Sequence, residues 1–325
     1  MFKQLTTPVL RSLLTILGAA ACLMWSTTQA AYPDHTIAIV VPYSGGAVDP
    51  VARMIAKEMT KRFNTSVIVE NRPGASGSIG TAFVAKAPPD GYTILSVGTP
   101  LAINPYLVHE PFDWKTLVPI AGVYLTPQML LVKADSPFKT VQDLVQYAKA
   151  HPGKLTYGSG GNGTVQRLSY ELLRQSLKLD MLHVPFKSGI DSVHALLGGQ
   201  IDTVFAGTLA NQGLVKSGRL RALAVSSAER SSVLPDVPTV SETLIPGFAT
   251  YDWNGIFAPP KTSPEIVKKL QDAVIDIVKT KLTGYLTSHG STPFPVTSTE
   301  FNDFVHKQYE RWGVTIKNAG IKQNR

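Results

Sequence analysis

Residues Thr36 to Phe63 constrain the fold of this chain more than any other stretch. Ile37-Ala38-Ile39-Val40-Val41 is a short, β-branched apolar run, the pattern of a strand buried on both faces. Pro42-Tyr43-Ser44-Gly45-Gly46-Ala47-Val48 cannot extend that strand and supplies a turn. Asp49-Pro50 then reads as a helix start, with Asp at the N-cap and Pro at the first helical position. Val51, Met54, Ile55 and Met59 recur at helical spacing toward Arg62-Phe63, so one face of that helix is apolar. A strand, a glycine turn and a helix N-terminus in this order aim backbone N–H groups and the positive end of the helix dipole at a crevice, which suits an anion. The glycines spell neither G-x-G-x-x-G nor G-x-x-x-x-G-K-[ST], so neither a dinucleotide nor a P-loop site is indicated. An ordinary tight turn accounts for the stretch equally well.

The first thirty residues stand apart. Lys3 and Arg11 form a basic start, Leu13 to Trp25 is an apolar core too short for a comfortable membrane span, and Thr28-Gln29-Ala30 offers a small-residue cleavage site. The expectation is a secretory signal peptide over residues 1–30, cut after Ala30, and hence a periplasmic protein. The single cysteine, Cys22, lies inside it; Ala19 and the following Leu-Met-Trp argue against an acylated lipoprotein cysteine. The mature chain then has no thiol for a disulfide, a nucleophile or a metal. About 295 residues remain, enough to bury a core unaided. At 44% hydrophobic and 17% charged, the composition suits a globular protein of about two domains. Removing Lys3 and Arg11 lowers the formal charge from +8 to +6, and the basic residues are scattered, so no nucleic-acid patch is indicated.

Downstream, Ser66–Glu70, Tyr92–Val97, Met129–Val132, His183–Phe186, Ile201–Phe205, Leu220–Val225 and Trp253–Ala258 read as strands. Thr81–Lys86, Val165–Leu177, Asp191–Leu197, a helix capped by Ser263-Pro264-Glu265 and a last helix opened by Thr297 and Glu300 read as helices. Thr140 with Asp143 opens another. Strands alternating with helices imply a parallel sheet. Tyr157-Gly158-Ser159-Gly160-Gly161-Asn162-Gly163-Thr164 repeats the opening theme, so two glycine loops, one early and one in mid-chain, aim helix N-termini at a shared cleft.

No catalytic constellation is evident. The seven histidines show neither H-x-x-x-H nor H-x-H spacing, so zinc is unsupported, and no other cofactor is called for. Ser44 and Ser159 lie outside any G-x-S-x-G, and no histidine can be assigned to either. Asp49 and Asp202 could form a carboxylate pair, but Asp49 is explained as an N-cap and Asp202 as a strand-end residue bonding turn amides. Lys187 serves equally well as a ligand cation or as a solvated lysine.

Several stretches carry a family resemblance. They are Val69-Glu70-Asn71-Arg72-Pro73-Gly74-Ala75, Ala87-Pro88-Pro89-Asp90-Gly91-Tyr92-Thr93, Ala102-Ile103-Asn104-Pro105, Pro152-Gly153-Lys154-Leu155-Thr156-Tyr157-Gly158-Ser159, His183-Val184-Pro185-Phe186-Lys187, Leu197-Gly198-Gly199-Gln200-Ile201-Asp202, Leu220-Arg221-Ala222-Leu223-Ala224-Val225 and Leu234-Pro235-Asp236-Val237-Pro238-Thr239. In this order they resemble the Bug family of extracytoplasmic solute receptors, the binding component of tripartite tricarboxylate transporters. The resemblance implies an α/β, type II periplasmic-binding-protein fold, with lobe 1 formed by residues 31–126 and 250–325 and lobe 2 by 127–249. It implies a monomer that is not an enzyme, holds a mono- or dicarboxylate in the cleft through loop amides, hydroxyls and waters, and delivers it to membrane permease subunits. By the same likeness Tyr43, Ser44, Gly45, Gly46 and Asp49 line the site from the first loop, and Ser96, Gly98 and Thr99 from the second. Ser159, Gly160, Asn162, Gly163 and Thr164 join from mid-chain, with Lys187, Asp202, Ala206, Gly207 and Thr208. One departure stands out: the first loop is a residue shorter than the family pattern, with Ser44 before the glycine pair and Ala47-Val48 after it. Tyr43 either covers an aromatic carboxylate or packs on its strand. An exported hydrolase on the same fold is the alternative, distinguished by turnover.

Overall fold

A computed structural model describes residues 32–43 and 45–322; the signal segment with Cys22, and Ser44, lie outside the described residues. From His35 onward the chain is built around one mixed sheet in the order β2-β1-β3-β9-β4-β7-β5-β6. These strands are β1 (Ile37–Val41), β2 (Val67–Asn71), β3 (Thr93–Gly98), β4 (Val118–Lys133), β5 (Thr156–Ser159), β6 (Leu182–Pro185), β7 (Thr203–Gly207) and β9 (Tyr251–Ala258). Two more, β8 (Leu220–Val225) and β10 (Thr292–Pro293), pair with β4 away from that path.

The expected parallel sheet is only partly present. β1 pairs parallel with β2 and β3, and β5 pairs parallel with β6 and β7. β9 runs antiparallel to β3 and β4, and β7 and β8 run antiparallel to β4. The cause is β4 itself. The sequence suggests a four-residue strand at Met129–Val132, but sixteen residues from Val118 to Lys133 are extended. The amino-terminal half of β4 pairs with β9 and the carboxyl-terminal half with β7 and β8, so one strand threads both groups of parallel strands.

The helices are α1 (Val48–Phe63), α2 (Ser78–Ala85), α3 (Pro100–Leu107), α4 (Val141–Ala150), α5 (Val165–Leu177), α6 (Gly189–Leu197), α7 (Thr208–Lys216), α8 (Val240–Thr243), α9 (Pro264–Ile277), α10 (Thr283–Ser288) and α11 (Ser298–Asn318). Where a capping side chain announces a start, the expectation holds. Thr140 and Asp143 close a reciprocal capping box on α4, Thr297 and Glu300 another on α11, and Ser263 accepts from the Ile266 amide. Each such cap is worth about 1 kcal/mol. Asp49 is a correction. Ala47 occupies the N-cap of α1 with no side-chain bond, and Asp49 sits inside the first turn. α3 and α7 are helices the sequence reading missed, because Pro105 and Gly213 interrupt their periodic pattern.

Three cores result. Trp253, Phe257, Phe301 and Trp312 centre the first, Tyr157, Tyr170 and Phe205 the second, and Met129, Leu131 and Leu196 the third. Val165 and Leu168 of α5 belong to the first core, packed with residues of α3 and α11, so a mid-chain helix is buried among elements from both chain ends.

Candidate functional site

The register of β4 brings the candidate loops together. Gly98, the last residue of β3, pairs with Asn254, which pairs in turn with Tyr124. Four residues further along β4, Gln128 pairs with Gly207, the last residue of β7. The Gln128 amide also donates to Ser226 Oγ at 2.8 Å. The carboxyl ends of strands from both groups therefore arrive at Tyr124–Gln128, and each hands over to a helix N-terminus: α3 after β3, α7 after β7. Such strand ends are where open α/β sheets place ligands.

Contacts tie the outer loops to this waist. Asn104 of α3 donates through Nδ2 to the Ser76 carbonyl at 3.1 Å, and a Cβ on Gly163 would come within 3.1 Å of Asn104 Oδ1. A Cβ on Gly77 would meet the Tyr43 ring at 2.9 Å. The first loop, the 75–77 turn, α3 and the mid-chain loop are thus consecutive neighbours. On the other side Thr208 Oγ1 donates to the Gly290 carbonyl at 2.9 Å, and Thr126 and Ser291 share a 2.8 Å hydroxyl contact.

In the first loop, Gly45 and Gly46 hold φ of +81° and +83°, which glycine adopts without strain. Tyr43 packs inward, its hydroxyl buried and without a partner among the described residues. Burial, with Asp252 nearby, pushes the phenol well above its ordinary range. Asp49 binds Arg53 through two contacts, Nε to Oδ2 at 2.9 Å and Nη2 to Oδ1 at 3.0 Å, and accepts from Asn71 Nδ2 at 2.6 Å. Arg53 first, and Asn71 with it, hold that carboxyl below the usual range against a smaller opposing effect of burial. Asn71 also donates to the Tyr43 carbonyl at 3.1 Å, so Asp49 anchors the loop through Asn71.

In the second loop, Ser96 is buried and donates to Asn254 Oδ1 at 3.3 Å. At Gly98 a Cβ would stand 2.3 Å from the Trp253 carbonyl, so this glycine serves the approach of β9. Thr99 Oγ1 donates to Asp252 Oδ1 at 2.5 Å and accepts from the Trp253 amide at 3.1 Å. Asp252 is a residue the sequence reading missed. Burial raises its carboxyl, opposed by the Thr99 hydroxyl and by the Trp253 and Thr99 amides.

Mid-chain, Thr164 caps α5 by accepting from the Arg167 amide at 3.3 Å, and donates to the Gly161 carbonyl at 2.8 Å. The Gly160 amide donates to Gln166 Oε1 at 2.9 Å; Asn162 and Gly163 are half-buried. Ser159 does have a histidine partner, contrary to expectation: its Oγ lies 2.7 Å from His183 Nε2. Burial, with Arg167 and Arg174, lowers His183 to about 4. Ser159 is wholly buried, and Glu171 is taken up by Tyr157, Arg167 and Arg174, so the pair lacks the exposed nucleophile and orienting carboxylate of a triad.

The remaining residues separate. Ala206, Gly207 and Thr208 reach the waist, while Asp202 lies at the opposite end of β7, accepting from the Thr156 amide and hydroxyl at 2.7 Å each. Asp49 and Asp202 therefore serve different partners and form no pair. Lys187 is exposed. The waist instead holds Gln128, Gln212 and Asn254, each with a buried amide atom lacking a partner among the described residues. Gln128 and Asn254 sit on β4 and β9 and Gln212 on α7, and single amides leave no spacing signal from which they could have been found.

The sequence matches the family described as tripartite tricarboxylate transporter family receptor over residues 51–321. BugT of Bordetella pertussis is 31% identical, with 95% of this chain and 98% of that protein covered. Among solved structures, Rpa4515 of R. palustris with adipate shares 30% identity at a TM-score of 0.84, covering 90% of this chain and all of the other. MatC of Rhodopseudomonas palustris with bound malate shares 31% at a TM-score of 0.76, covering 88% of this chain and all of the other. With likeness of this extent, the chain belongs to the tripartite tricarboxylate transporter receptor family, the solute-binding receptors that include the Bug proteins.

Proposed function

We propose that this protein is a periplasmic receptor that closes on a small carboxylate and delivers it, as a monomer, to the membrane permease of a tripartite tricarboxylate-type transporter. The observation that carries the reading is the meeting of β3 and β7 at Tyr124–Gln128, with the N-termini of α3 and α7 behind them. Loop amides and hydroxyls there can solvate a carboxylate without a direct arginine clamp. The adipate and malate held by the two relatives support the ligand class. The lobes divide where the chain passes this waist, at residues 126/127 on β4 and 249/250 ahead of β9, and the leading thirty residues direct export. Among the described residues no helix is long and apolar enough to cross a membrane.

A thermal-shift screen of aliphatic and aromatic mono- and dicarboxylates tests this. At a hundredfold excess over Kd, a true ligand stabilises by about 2.7 kcal/mol, roughly 4 to 5 °C for a chain of this size. A flat response across the panel would sink the carboxylate reading. Consumption of a carboxylate ester would replace the receptor by a hydrolase.

A further inference from the structure

A buried charge cluster lies behind the mid-chain loop and is not accounted for by stability. Arg167, Glu171 and Arg174 share one face of α5. Glu171 is 2% exposed and receives Arg167 Nη2 on Oε1 at 2.8 Å and Arg174 Nη1 on Oε2 at 3.0 Å. Tyr157 of β5 donates to Glu171 Oε1 at 2.8 Å and accepts from Arg167. Two guanidiniums, 13% and 26% exposed, thus share a single carboxylate, leaving one positive charge in surplus. A neutral pair or an apolar cluster would hold α5 to β5 at least as well.

A chain of contacts links this cluster to the loop. Tyr157 and Ser159 lie on the same side of β5, the His183 ring is 5.1 Å from that of Tyr157, and Ser159 Oγ contacts both His183 Nε2 and, at 3.2 Å, the Gly161 amide. Near Tyr43 stand two carboxyls instead, Asp252 and Glu110, each raised by burial. A surplus positive charge on the α5 side favours an anion at the Ser159–Thr164 end over one beside these carboxyls.

We propose that the Arg167–Glu171–Arg174 cluster is the charge that selects and orients the anion, its surplus held one layer behind the Ser159–Thr164 loop so that the ligand's carboxylate seats against that loop rather than against the Tyr43 wall. This rests on the carboxylate reading above. The arginines act through the loop, as positioning residues.

The test uses the full mature protein, with malate and adipate titrated calorimetrically. Arg174→Gln leaves Arg167 and Glu171 as a neutral pair and weakens both ligands roughly three- to tenfold. Glu171→Gln raises the surplus and tightens them by a similar factor; Arg174→Lys stays within about twofold of the parent. Packing damage would weaken both glutamine variants, so opposite signs identify charge. A second readout, the NMR titration of His183, needs no ligand and stands if Glu171→Gln fails to fold: its midpoint rises above about 4 in Arg174→Gln. Losses of the same sign in both glutamine variants, or an unmoved His183 in Arg174→Gln, overturn the proposal. A parent protein that binds no carboxylate overturns the ligand reading and the selecting role with it, even where His183 moves.

Discussion

Ser159 Oγ meets His183 Nε2 at 2.7 Å although the in-register partner of His183 on β5 is Tyr157, two residues earlier. The contact is diagonal across a parallel pair, on the face that also carries Tyr157. The same hydroxyl lies 3.2 Å from both the amide and the carbonyl of Gly161, so His183 anchors the turn that leads into α5.

His183 gives a pH dependence of definite sign. Its folded value is lowered from 6.5 to about 4, so between those limits the unfolded chain binds more protons than the folded one. The stabilisation is fully present above pH 6.5 and is lost as pH falls toward 4. Melting temperature followed over that interval should fall less steeply in His183→Gln than in the parent. Parallel curves would count against a buried neutral imidazole.

Gly98→Ala should be severe. The new Cβ has 2.3 Å to the Trp253 carbonyl, and only separation of β3 from β9 relieves it. Urea unfolding should show a loss of about 2 to 4 kcal/mol. A loss below about 0.5 kcal/mol would mean the strands part easily at the waist.

Asp49→Ala should act on the first loop more than on the fold. No N-cap is lost, since Ala47 holds that position. Asn71 loses its 2.6 Å acceptor and with it the restraint on the Tyr43 carbonyl. The melting temperature should drop by roughly 1 to 3 °C, because the ion pair is largely exposed. Malate or adipate affinity should fall roughly two- to fivefold as the loop must be ordered on binding. Unchanged affinity would place the ligand away from Tyr43.

Gly161→Ala places a side chain at a φ of +102° in open space, so the penalty is conformational rather than steric. A cost of about 1 kcal/mol is expected in unfolding, with a larger proportional loss in carboxylate affinity as the Gly161 amide turns away. Equal affinity in calorimetry would take this amide out of the binding site.

How much was legible in the sequence depended on how local each cause was. Thr140 with Asp143, Ser263, and Thr297 with Glu300 each bond a backbone amide three residues away, and each was found. The apolar run Ile37–Val41 and the glycine pair after it were equally plain. Asp49 misled because an Asp-Pro pair fits a helix start in isolation, while the actual partners are Arg53, one turn on, and Asn71, on the neighbouring strand.

By itself, then, the sequence determined the helix starts that a side chain caps, the glycine loops and the alternation of strands with helices, because those depend on side-chain spacing and on backbone torsions within a few residues. Only the tertiary structure decided that Val118–Lys133 is one continuous strand, since its outer residues become extended by pairing with β9 and β8, more than eighty residues away. Thr99 finds Asp252, 153 positions on, and Ser159 finds His183, 24 positions on, in the same way. Strand register sets which side chains face one another, and hydrogen bonds across a sheet leave no periodicity in the chain that makes them.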